Sequence, residues 1–208
     1  MKFTNLAASG TVTAVYSIGW RITEDGTDLW SSRFLRFKDG VGIENAARIL
    51  GYALREIVRH ENLNSGVAVT AALSSTAVGF EPGKPLARAG EVAAKIAGLT
   101  WLPTLFTKQA HRRLHLLPSA AERDEEVRGK YACNGVRYCN GLIIIDDLVT
   151  RAATLGEMAR ALGAATSGVR VVGLVLGKNE KRSFAKDYGV DVDNSRLDPI
   201  WEKLWNGS

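Results

Sequence analysis

The chain has 208 residues, enough for one domain with a sizeable core. Its 46% apolar and 24% charged residues exclude a disordered or fibrous chain. A net charge of +5 favours anionic partners without choosing among nucleotides, phosphorylated metabolites and nucleic acid, and two cysteines, Cys133 and Cys139, are too few for a disulfide framework or a four-ligand zinc site.

No stretch approaches the roughly 18 apolar residues that a membrane span needs. The uncharged run from Phe3 to Trp20 follows Lys2, as in a signal peptide. Thr, Ser, Gly and Asn interrupt it too often for a compact apolar centre. The expectation is a cytoplasmic protein with two reduced thiols.

Residues 10–38 read as β. TVTAVYSIGW and LWSSRFLRF are rich in β-branched and aromatic residues, and EDGTD between them is a turn signal. Residues 44–60 switch to helical spacing, with Ile49, Leu50, Ala53, Leu54, Ile57 and Val58 on one face. GVAVTAAL (66–73) reads as a buried strand. PLARAGEVAAKIAG reads as a helix with Ala89, Val92, Ala93 and Ile96 inward, and LTWLPTLF as a strand. The long segment 108–140 reads as a lid over a site or as a solvated helix or hairpin. GLIIID (141–146) is a buried strand. Residues 155–162 form a helix with Leu155, Met158, Ala159 and Leu162 inward. VRVVGLVL is a further buried strand, and DPIWEKLW a short amphipathic helix.

The order from residue 44 is thus α-β-α-β-loop-β-α-β. Such alternation gives an α/β fold with a mostly parallel sheet flanked by helices. Ligands of these sheets bind beyond the carboxyl ends of the strands. The division expected is an N-terminal β-hairpin region over 1–43 and an α/β domain over 44–208, in one compact unit.

Asp146 and Asp147 stand at one such end, and an ionised carboxylate is costly to bury without partners. Alternation along a strand points the two in different directions. The chain then turns through Thr150, Arg151, Ala152 and Ala153. Thr154 and Glu157 have the spacing of a capping box at the next helix. A helix start offers backbone N–H groups and a positive dipole end to a phosphate. One short turn therefore combines carboxylates that accept from a diol with donors that hold a phosphate, and a ribose 5-phosphate carries both groups.

The segment Ile143-Ile144-Ile145-Asp146-Asp147-Leu148-Val149-Thr150-Arg151-Ala152-Ala153-Thr154-Leu155 resembles the phosphoribosyl-pyrophosphate signature of type I phosphoribosyltransferases. Upstream, Gln109 to Tyr131 looks like the loop of the competence-protein F-like, amidophosphoribosyltransferase-like branch. The likeness spans roughly residues 44–178. It implies a Rossmann-like core with residues 1–43 as a hood; the chain departs from that branch in lacking its usual N-terminal cysteine-rich zinc module, a β-hairpin region standing in its place. It implies Asp146 and Asp147 as the catalytic acids that hold the ribose hydroxyls, directly or near Mg²⁺, and residues 150–154 (Thr150, Arg151, Ala152, Ala153, Thr154) around the 5-phosphate. Ala72, Leu73, Ser74 and Ser75, within AALSST, stand where a pyrophosphate loop belongs. Lys108 and Arg112 are candidates to close over the pyrophosphate, with Arg113, His111 and His115. The activity implied is Mg²⁺-dependent transfer of 5-phosphoribosyl to a nitrogenous acceptor, a nucleobase or an amine.

The signature departs from the resembled family at Arg151-Ala152, where Thr-Gly is usual; if position 152 needs positive φ, Ala there costs roughly 1–2 kcal/mol. The alternative is a non-catalytic binder of phosphoribosyl pyrophosphate or a nucleotide, with a regulatory or assembly role in which nucleic acid or a partner protein takes part. A homodimer fits either reading. Trp20, Trp30, Trp201 and Trp205 either stack on an acceptor base or fill a small core. IIIDD also resembles a Walker B strand, but GFEPGKP lacks the spacing of a Walker A loop.

Overall fold

The computed structural model describes residues 1–4, 6, 12–24, 28–63, 65–110, 112, 117–136 and 139–207, without the side chains of 120 and 123. The strands are β1 (Lys2–Phe3), β2 (Val12–Ile22), β3 (Val67–Ala71), β4 (Thr100–Trp101), β5 (Phe106–Lys108), β6 (Tyr131–Cys133), β7 (Gly141–Val149) and β8 (Arg170–Glu180). The helices are α1 (Leu29–Lys38), α2 (Ile43–His60), α3 (Pro85–Ala97), α4 (Ala120–Val127), α5 (Ala153–Ala165), α6 (Arg182–Asp187) and α7 (Pro199–Asn206).

The main sheet has the order β1-β2-β8-β7-β3-β4. Only β1 runs antiparallel to its neighbour. β7 is apolar on both faces because both are covered. Ile143 and Ile145 pack toward α2 and α3, whereas Leu142 and Ile144 pack with Leu155, Met158 and Leu162 of α5. This is the mostly parallel, helix-flanked sheet that the pattern requires. β5 and β6 form a separate antiparallel pair, so 106–108 lies against 131–133.

The N-terminal region departs from the expected hairpin. LWSSRFLRF is α1, not a strand, and β2 joins the main sheet parallel to β8 instead of pairing back on residues 29–38. Trp30, Phe34 and Phe37 are spaced i, i+4, i+7, and all three are buried on one side of the helix. Asp28 caps it, its carboxylate accepting from Ser31 N–H at 3.0 Å. Ser31 Oγ in turn accepts from Ile22 N–H at 2.8 Å, which fastens α1 to the end of β2. The EDGTD turn falls partly on 25–27, outside the described residues.

Smaller departures have equally local causes. LTWLPTLF splits into β4 and β5 around the turn at Pro103, a residue with no N–H for a ladder. Val92 is exposed, and Ala89, Gly90, Ala93 and Ala94 form the buried side of α3. Residues 108–140 contain both α4 and the strand β6.

Trp30, Trp201 and Trp205 pack into the main core, and Trp20 into a smaller cluster with Ile22, Ala185 and Val192. Trp30 packs edge-on against Trp205, ring centroids 5.8 Å apart, and Arg33 lies over both rings while pairing with Glu202 at 2.7 Å. Trp201 meets Tyr52 edge-on, and Trp20 meets Phe3. At the opposite end of the sheet, buried Glu61 closes α2 and accepts from Lys2 at 2.7 Å, from the Tyr16 hydroxyl and from Arg170. Burial alone would raise the Glu61 carboxyl, but these donors hold it below its usual value.

α3 lies close on β7 because Gly90 has no side chain. A Cβ there would stand 2.4 Å from Ile145 Cδ1 and 2.7 Å from Trp101. Gly90→Ala is expected to cost about 1–3 kcal/mol in urea unfolding, despite the higher helix propensity of Ala. An unchanged or higher unfolding midpoint would contradict that packing.

Candidate functional site

β7 outruns β3. Ala71, the last residue of β3, sits opposite Ile145, so Asp146 and Asp147 project past the end of that neighbour. On the other side β8 continues beside β7 as far as Val149. The acid pair therefore occupies a step in the carboxyl edge of the sheet, inside a strand that extends to Val149 and not at its last residue.

Each carboxylate has one oxygen held by backbone. Asp147 N–H donates to Asp146 Oδ1 at 2.8 Å, and Leu148 N–H donates to Asp147 Oδ1 at 2.6 Å. The Oδ2 of Asp147 lies 3.2 Å from the Lys38 ammonium. Burial, and then the Asp147 charge beside it, push the Asp146 carboxyl well above the usual carboxylate range. A cation brought to the pair relieves both effects.

Asp146 is close enough to influence Lys108 and Tyr131. Lys108 is buried, its Nζ 3.5 Å from Leu73 O and 5.4 Å from the centre of the Tyr131 ring. Desolvation lowers its pKa to about 8, against the pull of the Asp146 and Glu81 carboxylates. Tyr131 is buried with a hydroxyl that has no hydrogen-bond partner among the described residues, and burial pushes its pKa up.

On the α1–α3 side of the acid pair is a cleft of about 220 Å³. Lys38, Leu73, Ser74, Glu81, Asp146 and Asp147 line it, against an apolar wall that includes Phe37 and Phe80. Of the expected pyrophosphate loop, Ala72, Leu73 and Ser74 reach the cleft and Ser75 stands outside its wall. Ala72 N–H donates to Ile145 O at 2.8 Å, stitching this loop to β7. The Ser74 hydroxyl donates to Glu81 Oε2 at 3.3 Å. Arg112 lies away from this wall and is held by Glu126, Nε to Oε2 at 2.8 Å. His111, Arg113 and His115 lie outside the described residues.

The turn after β7 leads to the other face of the sheet. Thr150 and Arg151 are exposed, and the Thr150 hydroxyl accepts from Asn179 Nδ2 at 3.2 Å. Ala152 is left-handed, φ 56 and ψ 29, and α5 begins at Ala153. The expected capping box does not form. Thr154 lies inside the helix, and no side chain caps it. Glu157 is used elsewhere, accepting from Gly129 N–H at 2.7 Å and from Arg160 at 2.7 and 2.8 Å. Among the described residues no side chain caps the start of α5, the positive end of a 13-residue helix.

Lys38, Glu81 and Lys84 line the cleft but escaped the sequence reading. Lys38 is the last residue of a helix whose sequence reads as a strand. Glu81 and Lys84 reach the cleft through the turn before α3, which no periodicity reveals.

No family model matches the sequence, and no curated protein matches it. Among solved structures, the chain is similar to an allosteric regulatory enzyme of purine biosynthesis at 20% identity and TM-score 0.32, covering 64% of this chain and 25% of the other. It is also similar to the glutamine phosphoribosylpyrophosphate amidotransferase of B. subtilis, solved with ADP and GMP, at 18% identity and TM-score 0.32, covering 63% and 26%. The chain spans about a quarter of the length of these solved chains.

Ala152 gives a direct test of the turn. Ala152→Gly relieves about 1–2 kcal/mol of left-handed strain. It also gives up a buried methyl worth about 0.8 kcal/mol and adds about 0.5–1 kcal/mol of unfolded-state freedom. The expected net change is within about 1 kcal/mol of zero. Ala152→Val, β-branched at positive φ, should cost about 2 kcal/mol or more. Chemical denaturation measures both, and a harmless Val would refute this geometry.

Proposed function

We propose that this chain binds phosphoribosyl pyrophosphate with Mg²⁺ and transfers the 5-phosphoribosyl group to a nitrogenous acceptor, releasing pyrophosphate. One observation carries the reading: an acid pair in a step of the sheet's carboxyl edge runs directly into the uncapped start of α5. Carboxylate oxygens that accept from a diol and N–H groups that hold a phosphate are thereby joined by one short turn.

In this reading Asp146 and Asp147 hold the ribose 2- and 3-hydroxyls, and residues 150–154 surround the 5-phosphate. The loop at 72–74, with Lys108 behind it, receives the pyrophosphate. The bond from ribose C1 to pyrophosphate oxygen breaks, its electron pair leaving with pyrophosphate, and the lone pair of the acceptor nitrogen forms the new bond at C1. Positioning and electrostatics supply catalysis of this kind, so no nucleophilic side chain is required.

The residues present fit a divalent cation. Burial and then the Asp147 charge raise the cost of ionising Asp146, and a cation at the pair offsets that cost. Among the described residues no cluster of three metal-ligating side chains occurs, which suits an ion that takes one or two carboxylates and completes its shell with water and ligand phosphates. Such an ion, when bound, balances the charge that develops on the leaving pyrophosphate. Among the described residues no helix is long and apolar enough to cross a membrane. The reading is of a cytoplasmic protein.

A second reading has its own support. Glu81 lines the cleft beside the expected pyrophosphate loop and binds Ser74. A carboxylate there opposes a pyrophosphate, and a protein that binds the ribose phosphate as a regulatory ligand, without turnover, tolerates it. Turnover assays with bases and amines separate the two readings: pyrophosphate is released in the first and not in the second.

Calorimetric titration of phosphoribosyl pyrophosphate with Mg²⁺ tests the site itself. The wild type is expected to bind, and Asp146→Asn/Asp147→Asn to lose binding; failure of the wild type to bind would end both readings. Lys108 carries its proton below about pH 8 and loses it above. Affinity should therefore weaken as the pH rises through about 8, and Lys108→Met should flatten that dependence. An equal slope in the variant would remove Lys108 from the ligand's surroundings.

A further inference from the structure

We propose that Lys38 is a resident counter-cation of the acid pair, and that its ammonium competes with a divalent metal ion for Asp147. The inference deepens the proposed ribose-phosphate site and rests on it. Lys38 Nζ stands 3.2 Å from Asp147 Oδ2, the oxygen that the backbone does not hold. The lysine also lines the same cleft as Asp146, Leu73 and Ser74. Ammonium and metal call for the same oxygen, so one must leave for the other to bind.

Lys38 is placed for this by α1. It is the last residue of the helix, where the dipole favours a cation. The chain turns directly after it, with Gly40 and Gly42 both at positive φ, and Phe37 beside it is buried. The backbone under Lys38 is thus anchored. Its side chain is 47% exposed, so the long stem is free to swing aside. Asp147, at 27%, remains open to the cleft. The Lys38–Asp147 pair offsets part of the charge of the two acids and sets a threshold for the metal.

Mn²⁺ binding to the ligand-free protein, read by electron paramagnetic resonance, tests the competition without reference to turnover. Lys38→Met should bind Mn²⁺ about three- to fivefold more tightly than wild type, the scale of a half-exposed ion pair. Lys38→Arg should stay near wild type. In an Asp147→Asn background the Lys38→Met change should have no effect. Equal or weaker Mn²⁺ binding by Lys38→Met, or none in any variant, overturns the proposal; circular dichroism of each variant checks that it folds. The two ideas fail differently. Normal binding of phosphoribosyl pyrophosphate with Mn²⁺ affinity indifferent to Lys38 removes the competition alone. The Mn²⁺ effect without any binding of phosphoribosyl pyrophosphate upholds the competition and removes the ribose-phosphate reading.

Discussion

Two carboxylates side by side at the edge of a buried parallel sheet set the terms for everything around them. Each repels the other, and Asp146 is buried with little water to solvate it, while Asp147 opens to the cleft. The chain answers with small, local contributions. Backbone N–H groups take one oxygen of each, Lys38 takes the outer oxygen of Asp147, and Lys108 is buried within electrostatic reach of Asp146. None of these fully neutralises the pair, and Asp146 stays hard to ionise. On the proposed function, that remaining imbalance is what a cation at the pair offsets.

The same constraint explains the architecture next to the site. β7 must outrun β3 so that the acids clear the covered part of the sheet, and the loop at 72–74 must be tied to β7 so that the cleft has a wall. The turn after β7 must be sharp. Ala152 takes the left-handed conformation, and α5 starts there without a side-chain cap. A Ser or Asp cap would stabilise the helix by about 1 kcal/mol and would also occupy the N–H groups that a phosphate needs. On the proposed function, helix stability and phosphate binding compete for the same donors, which no described side chain caps.

Much of this was legible in the sequence, because buried strands and amphipathic helices carry their period with them. The run Leu142–Ile145, the apolar face of α2 and the inward residues of α5 needed no other information. The failures share one cause: the deciding contact was distant in the chain. LWSSRFLRF contains residues that favour strands, and only the core formed by Trp205 and β2 makes its helical face worth burying. Thr154 and Glu157 match a cap by spacing, yet Glu157 is claimed by Gly129. Lys108 looks like one more basic residue of a loop until the pairing of 106–108 with 131–133 draws it inside. Lys38 was invisible for the reason that α1 was.

The pairing of β2 with β8 has a consequence for the time course of folding. Val12 sits opposite Val171, so the two ends of the chain form adjacent strands in the middle of one sheet. β7, α5 and β8 are consecutive in sequence and assemble with short loops, whereas β2 meets its partner only after nearly the whole chain exists. Contacts of such high sequence separation form slowly. Until they form, β8 has one open, apolar edge, the kind of edge that pairs with other chains. Buried Glu61, with Tyr16 and the part-exposed Lys2 and Arg170 gathered on its carboxylate, lies across that late junction. It acts as a latch on the last step of assembly, closed by charge beside a ladder in which Val15 faces Gly173 and Tyr16 faces Leu174.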